Sequence, residues 1–441
     1  MYNKKQEKSI YFSGRIDWFI LFSTLILIVS PVIYNIFVGA NLNPLPKQTV
    51  LYVSSRFEEI FGREITETII QEFVEKNPGL QVKTADSQYQ NEKPEKSDQI
   101  KIIKPDILIF DEGGFSALAA GGMLAALEDY VSGEASVHQL AIPLVSFMDL
   151  LFYNIKLLEE SGFDRPPKTR EEFLACAKTV SGRNSAEKAA GFSMGLSPND
   201  GESVSREIFS WIWASGGDFL QEEDRIVINT RQIIRDISFL DSLYRDGALS
   251  PANFEMTGDQ VIEEFSNGKI ALMIASTRVI PVLREKMGDD AFGITTIPDS
   301  GFGGKYSAAL IGIYAGISSN CQYPDAAWSF IEFLAGQSPL LCAKLKAVPG
   351  VVSEALVDRE PSPAITRLAE AAGDYFRDDV FYSKARDIFE SSKIVHGFTG
   401  NAKSDEYEGI VREEMTGFFE SRRTAQETAV AIQNRWDEVE K

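Results

Sequence analysis

The chain contains few of the side chains that most often bind metal ions or act as nucleophiles. Its 441 residues include three cysteines and two histidines. Cys176, Cys321 and Cys342 show no C-x-x-C spacing, and His138 and His396 lie far apart in the sequence. A zinc site or a cysteine–histidine nucleophile requires clustered residues of these types. The sequence therefore predicts no metal, no cofactor and small buried thiols.

Positive charge is also scarce. The formal net charge is −20 at pH 7, and an acidic surface repels the phosphate backbone of nucleic acids. The sequence has no P-loop for a nucleoside triphosphate. Adjacent acids such as Glu171 and Glu172, or Glu263 and Glu264, are expected to point apart on helices and to be solvated. These features argue against nucleic-acid binding and favour a protein without enzymatic activity.

The N-terminus combines basic residues with a long apolar run. Four Lys or Arg residues precede residues 18–40. As a helix, these 23 residues span about 35 Å, enough for a hydrocarbon core of about 30 Å. The preceding positive charges predict a cytoplasmic N-terminus and an exported body. The length favours an uncleaved transmembrane anchor, because the apolar region of a signal peptide usually has about 7–15 residues. Cleavage after Ala40 is the alternative.

The segments around this run are predicted to follow the same organisation. Residues 1–17 form a basic cytoplasmic segment, residues 18–40 the transmembrane anchor or signal peptide, and residues 41–48 a linker stiffened by Pro44 and Pro46. The acidic remainder is predicted to lie on the extracytoplasmic face of the bacterial cytoplasmic membrane. If the run is cleaved, that remainder is predicted to be periplasmic.

Beyond residue 48, predicted strands alternate with predicted helices. Residues 50–53 and 80–83 favour strands, and apolar residues recur every fourth position from Phe57 to Phe73, which predicts one amphipathic helix. This β-α-β order is typical of a parallel sheet with right-handed crossovers. Continued alternation predicts the α/β class. Further local predictions are capping boxes at Ser55/Glu58 and Thr424/Glu427, a helix at 117–127 and a strand at 226–228.

Two acidic residues follow a strand that is predicted to be buried on both faces. The strand covers residues 107–110, and Asp111 and Glu112 stand at its carboxyl end. In open α/β sheets, ligands bind beyond the carboxyl ends of strands. Asp111 and Glu112 are therefore candidate ligand-binding residues, with a helix-capping acid as the alternative.

Several short motifs follow one another along the chain. They are FVEKNP (73–78), PDI (105–107), GML (122–124), FYN (152–154), PPKTREEF (166–173), FSNGKIALM (265–273) and AAWSFIEFL (326–334). None is specific alone. In this order and spacing, from about residue 50 to the C-terminus, they resemble the sugar-type extracellular solute-binding proteins of ABC importers, the group that includes maltose-binding proteins.

The resemblance implies a two-lobed periplasmic-binding-protein fold with hinge crossovers. Lobe 1 would comprise residues 49–149 and 313–347, and lobe 2 residues 150–312 and 348–441. Such a protein closes over a small solute, here a sugar or a sugar acid, and delivers it to the permease subunits of an ABC importer. Two alternatives stay open: a membrane-anchored glycan-processing hydrolase, and a ligand-sensing receptor partner.

Sugar sites combine aromatic rings, which cover C–H faces, with charged and amide groups that bind hydroxyls. Position by position, the resemblance implies a set of ligand-binding residues: Ser55, Arg56, Phe110, Asp111, Glu112, Tyr153, Trp211, Trp213, Arg278, Lys305 and Tyr314. Tyr153 is expected at the cleft mouth or hinge. For the tyrosine and for the two tryptophans, core packing is the alternative.

One of these positions departs from the family pattern. After the segment 268–273, maltose-type relatives usually carry a tryptophan that stacks on sugar, and this position is Arg278. Arginine also stacks, but it is charged and prefers carboxylate or phosphate. The replacement favours a small or acidic sugar, or a non-sugar anion, over a maltose-like ligand.

Overall fold

The structure is a computed structural model. It describes residues 48–85, 104–131, 140–182, 189–197, 199–200, 203–217, 219, 226–249, 251–301, 307–345, 347–349, 379–395, 397–398, 401–420 and 423–441. The predicted anchor at residues 18–40 lies outside these ranges, as do the segment 1–17 and nearly all of the linker. Within the ranges, no helix has both the length and the apolar character needed to cross a membrane.

The chain divides into two compact units. The smaller comprises Met1–Val50 and Asn77–Gln81, and in its described part Thr49 N donates a hydrogen bond to Gly79 O at 3.1 Å. The larger comprises Leu51–Lys76 and Val82–Lys441. The lobe boundaries implied by the resemblance stay a prediction.

One mixed sheet contains the ten strands found among the described residues. The strands are β1 (Thr49–Ser54), β2 (Leu80–Ala85), β3 (Ile107–Asp111), β4 (Ile142–Asn154), β5 (Ala190–Ser193), β6 (Ile270–Ser276), β7 (Phe292–Thr295), β8 (Ser307–Ile317), β9 (Val348–Pro349) and β10 (Lys393–Val395). The main order is β2-β1-β3-β8-β4-β6-β5. β1–β3 and β5–β6 are parallel pairs, whereas β3–β8, β4–β8 and β4–β6 are antiparallel. The expectation of a parallel sheet therefore holds only for parts of it.

Helices alternate with these strands, which confirms the α/β class. They are α1 (Arg56–Phe61), α2 (Arg63–Lys76), α3 (Glu112–Ala120), α4 (Ile155–Glu160), α5 (Arg170–Ser181), α6 (Ser203–Ala214), α7 (Arg231–Arg245), α8 (Gly258–Ser266), α9 (Ile280–Met287), α10 (Pro324–Gly336), α11 (Ser338–Leu345), α12 (Val380–Ser391), α13 (Ser404–Glu420) and α14 (Ala425–Val439). Two 3-10 turns, Pro251–Phe254 and Thr277–Val279, precede α8 and α9.

Strand β4 changes partner along its length. Its first half pairs with β8, from Ile142 to Met148, and its second half pairs with β6, from Asp149 to Tyr153. Successive side chains of a strand point to opposite faces. Accordingly, Leu151 packs in one hydrophobic cluster, whereas Met148 and its i+2 and i+4 neighbours pack in another.

Hydrophobic side chains cover both faces of the second half of β4. The larger cluster includes Leu151, α6 and the C-terminal helices α13 and α14. A second cluster joins β4 and β6 to α8, α9 and α12. A third, smaller cluster contains Phe110, Phe115 and Tyr314 and lies around β3 and α3. These layers of helix and sheet fix the positions of the carboxyl ends of β3 and β6, near which the predicted residues Asp111, Glu112 and Arg278 lie.

Several local predictions are wrong in instructive ways. The single helix expected from Phe57 to Phe73 is two helices, because Gly62 between them has φ 84°, a conformation that glycine adopts without strain. The Ser55 hydroxyl does not cap α1 but donates to Glu59 Oε1 at 3.0 Å. The capping box of Thr424 and Glu427 is confirmed.

Two elements also differ in position. The helix expected at 117–127 is α3, which begins at Glu112 and ends before Gly121 and Gly122. Gly122 has φ 59°, so the glycine pair ends the helix and is not its centre. No regular strand covers residues 226–228.

Candidate ligand-binding site

Arg278 is held at the carboxyl end of β6 by a short turn. Ser276 Oγ accepts a hydrogen bond from Arg278 N at 3.3 Å, which starts the 3-10 turn. Met148 N donates to Thr277 Oγ1 at 3.2 Å and ties the turn to β4. The sequence thus places the arginine where α/β proteins commonly bind ligands.

The guanidinium group of Arg278 lies over an aromatic ring of β4. Its Cζ is 4.6 Å from the centroid of Phe147, a cation–π contact. Desolvation lowers the pKa of Arg278 from its ordinary value. The charges of Asp111 and Glu112 oppose that lowering, whereas Arg206 adds to it. The predicted residues Asp111, Glu112 and Arg278 therefore share one electrostatic environment.

Helix α6 contributes a second arginine. Arg206 Nε lies 3.6 Å from Asp149 Oδ2 of β4, and Ser210 Oγ donates to the same oxygen at 3.2 Å. Asp149 is buried, and burial raises its pKa although Arg206 and Ser210 partly offset the effect. Asp149 thus orients Arg206 through this ion pair.

Glu207, the next residue of α6, is incompletely hydrogen-bonded. Its Oε1 accepts from Gly195 N at 2.8 Å, whereas its Oε2 has no hydrogen-bond partner. The side chain is 4% exposed. Burial raises the pKa of Glu207 to about 8, against the opposing effects of the Gly195 N–H and Arg206; Asp149 and Asp200 raise it further. At neutral pH the group is therefore mainly a neutral carboxylic acid.

Arg206, Glu207 and Arg278 line a cavity of about 180 Å³. Its lining comes from α6, the N-terminal turn of α8, the end of β6 with its following turn, and β8. The lining side chains with polar or charged groups are Arg206, Glu207, Asp259, Ser276 and Arg278. Apolar walls with a few convergent polar groups are typical of small-molecule sites.

Arg206 and Glu207 were not among the residues predicted from the sequence. A signal was available, because an Arg–Glu pair interrupts a helix whose other central residues are mostly apolar (SVSREIFSWIWA). Trp211 and Trp213, the residues of this helix that the sequence predicts to bind ligand, do not line the cavity.

Asp111 combines the two roles that the sequence left open. Its Oδ1 accepts from Gly114 N at 3.0 Å and caps α3. Its Oδ2 accepts from Arg56 Nη2 at 3.2 Å, and both side chains are more than two-fifths exposed. Arg56 also pairs with Glu59 at 3.3 Å. The structure thereby brings the predicted residues Arg56 and Asp111 into direct contact at the surface.

Phe110 and Tyr314 are placed in the interior. Their ring centroids are 6.2 Å apart in a stacked arrangement across the β3–β8 pair, and Phe115 packs against both. Phe110 is 5% exposed and Tyr314 is 1% exposed. In this structure both rings pack in the core and neither lines the cavity.

The two tryptophans of α6 are also interior residues. Trp211 contacts Phe173 and Phe192, with ring centroids 5.0 and 6.0 Å away. Trp213 contacts Phe209 at 5.3 Å and lies against Gly397, whose φ of 57° and lack of a side chain permit the close approach. The structure favours the core-packing alternative for both tryptophans.

Tyr153 is half-buried near the end of β4. It pairs in register with Gly293 of β7 and Leu272 of β6. A Cβ at position 293 would lie 2.3 Å from the Tyr153 ring, so glycine is required for this packing. Burial raises the pKa of Tyr153. Tyr153 does not line the cavity, and Lys305 lies outside the described residues.

A pattern typical of serine hydrolases was missed in the sequence: residues 191–195 read GFSMG, a G-x-S-x-G spacing. A nucleophile elbow exposes its serine on a sharp turn between a strand and a helix. Here Ser193 lies within β5, in register with Met273, and is 2% exposed. The glycines serve packing, because a Cβ at Gly191 would lie 1.8 Å from Ala177 O. The motif does not form an elbow.

In the part of the chain that the structure describes, no group of three His, Cys, Asp or Glu residues is arranged to bind a metal ion. Cys176, Cys321 and Cys342, all among the described residues, form no disulfide; Cys176 and Cys342 are buried, and Cys321 is half-buried. Burial raises the pKa of Cys176 to about 12, so this thiol does not act as a nucleophile at neutral pH.

Comparison with known proteins gives a consistent result. The sequence matches the family model of the bacterial extracellular solute-binding proteins over residues 59–338, more than half of the chain. An ABC transporter-binding protein of Deinococcus radiodurans is 22% identical over 203 residues, which is 45% of this chain and 47% of that protein. The chain thus spans about half the length of the curated relatives that it matches.

Two solved structures illustrate the similarity of fold. The cyclic alpha-maltosyl-1,6-maltose binding protein from Arthrobacter globiformis has a TM-score of 0.65 and 15% identity, and the match covers 89% of this chain and 98% of that chain. UgpB from Mycobacterium tuberculosis, in complex with glycerophosphocholine, has a TM-score of 0.61 and 17% identity, with coverage of 88% and 97%. The mixed α/β fold matches that of two-lobed periplasmic binding proteins. By its sequence match, the chain belongs to the bacterial extracellular solute-binding protein family.

Proposed function

We propose that the protein is an extracytoplasmic receptor that binds a small carbohydrate-type solute and delivers it, chemically unchanged, to the permease subunits of an ABC importer. The observation that carries the proposal is the cavity at the end of β6, lined by Arg206, Glu207 and Arg278, in a chain of the solute-binding family. Receptors of this kind need a site that binds and releases, and no pair of catalytic groups.

Closure of two lobes about β4 and β8 is part of the proposal. The partner of β4 changes from β8 to β6 between Met148 and Asp149, next to the boundary between the predicted lobes at residues 149 and 150. The cluster around Phe110 draws all of its residues from predicted lobe 1, with Tyr314 from the second segment of that lobe. The cluster around Trp211 draws its residues from predicted lobe 2. This partition supports a hinge at the middle of β4.

The proposed ligand-binding residues are grouped at the ends of β3 and β6. Asp111 and Glu112 would accept hydrogen bonds from solute hydroxyls, with Ser55 and Arg56 beside them. Arg278 would contact the solute from the other strand, together with Arg206 and Glu207. Tyr153 is proposed to belong to the hinge region, because it lies on β4 just beyond the change of partner.

The test is a ligand screen by thermal shift, performed on the full chain in detergent and paired with chromatography of each solute before and after incubation. A solute that raises the melting temperature and is recovered intact supports the receptor. At 100 times the dissociation constant, binding adds about 2.7 kcal/mol to the free energy of unfolding. Steady conversion of the stabilising solute into product would support the hydrolase alternative and contradict the receptor.

Tethering by residues 18–40 is proposed from the apolar run described for the sequence. Deleting residues 1–40 should move the protein from the membrane fraction to the soluble fraction without changing its solute affinity. The measurement is fractionation of cells that express either form, followed by titration of the soluble form. A full-length protein found entirely in the soluble fraction, at its uncleaved mass, would contradict the tether.

A further inference from the structure

The unpartnered oxygen of Glu207 is the starting observation. Polar groups buried in proteins are nearly always hydrogen-bonded, and an unsatisfied one is destabilising. Glu207 is 4% exposed, its Oε2 has no partner, and its side chain lines the cavity beside Arg206 and Arg278. A carboxyl group in this position is best satisfied by a ligand in the cavity.

Arg206 and Arg278 line the cavity together with Glu207, and the acidic Asp259 also lines it. Arg206 and Arg278 have donors and no acceptor, and the protonated Glu207 carboxyl adds an O–H donor. These three donor groups are complementary to a carboxylate or phosphate, which accepts hydrogen bonds and carries negative charge. The acceptors lie elsewhere in the site, since Asp111 and Glu112 act on Arg278 from the end of β3.

We propose that Arg206, Glu207 and Arg278 bind the carboxylate or phosphate group of an anionic carbohydrate, with the carboxyl group of Glu207 donating a hydrogen bond. Asp111 and Glu112 then accept hydrogen bonds from its hydroxyls. This assignment rests on the proposed receptor function and narrows its ligand class. It also makes Glu207 a specificity-determining residue of the site.

The size of the cavity agrees with a compact ligand. An enclosed space of about 150 Å³ accommodates one benzene molecule, and drug-sized ligands occupy roughly 300–1,000 Å³. The cavity of about 180 Å³ therefore suits one sugar ring or one charged group, and an oligosaccharide would have to lie mostly outside it.

Anion binding is coupled to the protonation of Glu207. Burial raises the pKa of Glu207 to about 8, so the donor proton is present at pH 7 and is lost near pH 9. The other charged groups near it are Arg206 on its own helix, Asp149 on β4 and Asp200 in the loop after β5, and the cavity is also lined by Asp259 of α8 and by Arg278 after β6. Loss of the proton adds a third nearby negative charge to those of Asp149 and Asp200, which repels an anionic ligand.

The experiment titrates the full chain with D-glucuronate, D-glucose 6-phosphate and neutral D-glucose by calorimetry at pH 7 and pH 9. At pH 7 at least one anion should bind about tenfold or more tightly than glucose, since hydrogen bonds between charged groups contribute about 1.5–3 kcal/mol. The comparison of glucuronate with glucose 6-phosphate tells which anionic group the site prefers. Arg278→Gln should remove most of the advantage of the anion, whereas Arg165→Gln, at an exposed arginine paired with Glu172, serves as the matched control.

The pH dependence separates a ligand contact from a structural role. A site that needs the protonated carboxyl, with a pKa of about 8, should lose about tenfold in anion affinity from pH 7 to pH 9. Glu207→Gln keeps an N–H donor at this position and cannot ionise, so its anion affinity should change much less over the same range. Equal pH dependence in both proteins overturns the role of Glu207.

The outcomes for the ligand class are also distinct. Binding of glucose alone, or binding of glucose as tight as that of both anions, overturns the anionic ligand and leaves the receptor proposal standing. Absence of binding by any anionic or neutral solute of the screening panel overturns both proposals.

Discussion

Asp236 and Glu207 are two buried carboxyl groups with different partners. Asp236 is fully buried, and its Oδ1 lies 2.8 Å from Arg170 Nη1. Arg170 is held in turn by Ser215 Oγ at 2.7 Å and by Trp211 O at 3.1 Å. Glu207 is almost as buried, yet the protein provides one N–H donor to one of its two oxygens.

The pKa values of the two acids express this difference. Desolvation raises the pKa of both, to about 6 for Asp236 and to about 8 for Glu207. The Arg170 charge and hydrogen bonds limit the rise at Asp236, whereas Gly195 N–H and the more distant Arg206 limit it less at Glu207. The acid with an arginine at 2.8 Å thus has the smaller rise in pKa, although the hydrogen bonds to its oxygens are incomplete as well, and Glu207 lies beside the cavity where a ligand is expected.

Breaking the paired site should have the largest effect on stability. Arg170→Met leaves Asp236 buried without its counterion, and we expect a loss of about 3–5 kcal/mol in the free energy of unfolding at pH 7. Denaturant unfolding measures it. The double variant Arg170→Met/Asp236→Leu should lose less than the single variant, because no unpaired charge remains. An equal loss in both would contradict the ion-pair explanation.

The unpaired site should instead show itself in the pH dependence of stability. Glu207 has a folded-state pKa of about 8, raised above its unfolded value, so its contribution is present below the unfolded pKa and is lost as pH rises to the folded pKa. From pH 5 to pH 8, the free energy of unfolding should therefore fall less in Glu207→Gln than in the unchanged protein. The difference should be about 4 kcal/mol, because each unit of pKa shift corresponds to about 1.4 kcal/mol. Asp149 and Asp236 titrate in both proteins, so the difference isolates Glu207. Parallel stability curves would show that Glu207 is ionised in the folded protein.

Arg206 represents an intermediate case, because it is partly exposed and pairs with the buried Asp149 at 3.6 Å. Arg206→Gln should cost about 1.5 kcal/mol, less than Arg170→Met, since Asp149 keeps Ser210 and becomes protonated more readily. Denaturant unfolding at pH 6 and pH 8 measures this, and the loss should be larger at pH 8. A loss as large as that of Arg170→Met would place Arg206 among the structural arginines.

The smallest effect is expected for an ion pair at the surface. Arg165 and Glu172 form two short contacts of 2.7 and 2.8 Å, and both side chains are about two-fifths exposed or more. Because solvent and salt screen such pairs, Arg165→Gln should reduce the free energy of unfolding less than any of the other variants. The measurement is thermal unfolding at low and high salt, with any difference decreasing as salt increases. A loss above that of Arg206→Gln would break the ranking by burial.

Local patterns predicted much of the fold. The apolar run at residues 107–110 is β3, and the Thr424–Glu427 box begins α14. The spacing of apolar residues and the capping of helices involve residues that are a few positions apart, so both can be recognised in the sequence. The helix break at Gly62 could not be recognised in this way. Helix α2 begins directly after it, at Arg63, so the four-residue spacing of apolar residues continues across the break.

Pairing over long distances could not be predicted. The sequence alone predicts a short strand at residues 150–153, yet β4 begins eight residues earlier, at Ile142. The charged Asp149 interrupts the apolar pattern, and what makes its burial possible is Arg206, 57 positions away in the sequence. Glu207 and Gly195 likewise meet only in the folded chain. The sequence therefore predicted Arg278, which follows a strand visible in the sequence and lines the cavity, and did not predict Arg206 and Glu207. Asp111 and Glu112 stay predictions.

The partners of the two cavity arginines have a consequence for redesign. Phe147, under Arg278, and Asp149, beside Arg206, are two positions apart on β4. Side chains at i and i+2 lie on the same side of a strand, roughly 7 Å apart. The spacing between the two side chains that contact the cations is thus set by the repeat distance of extended backbone. Selectivity could be altered by exchanging the tips of the side chains, whereas a single inserted residue at position 148 would put the two supports on opposite sides and dismantle the pair.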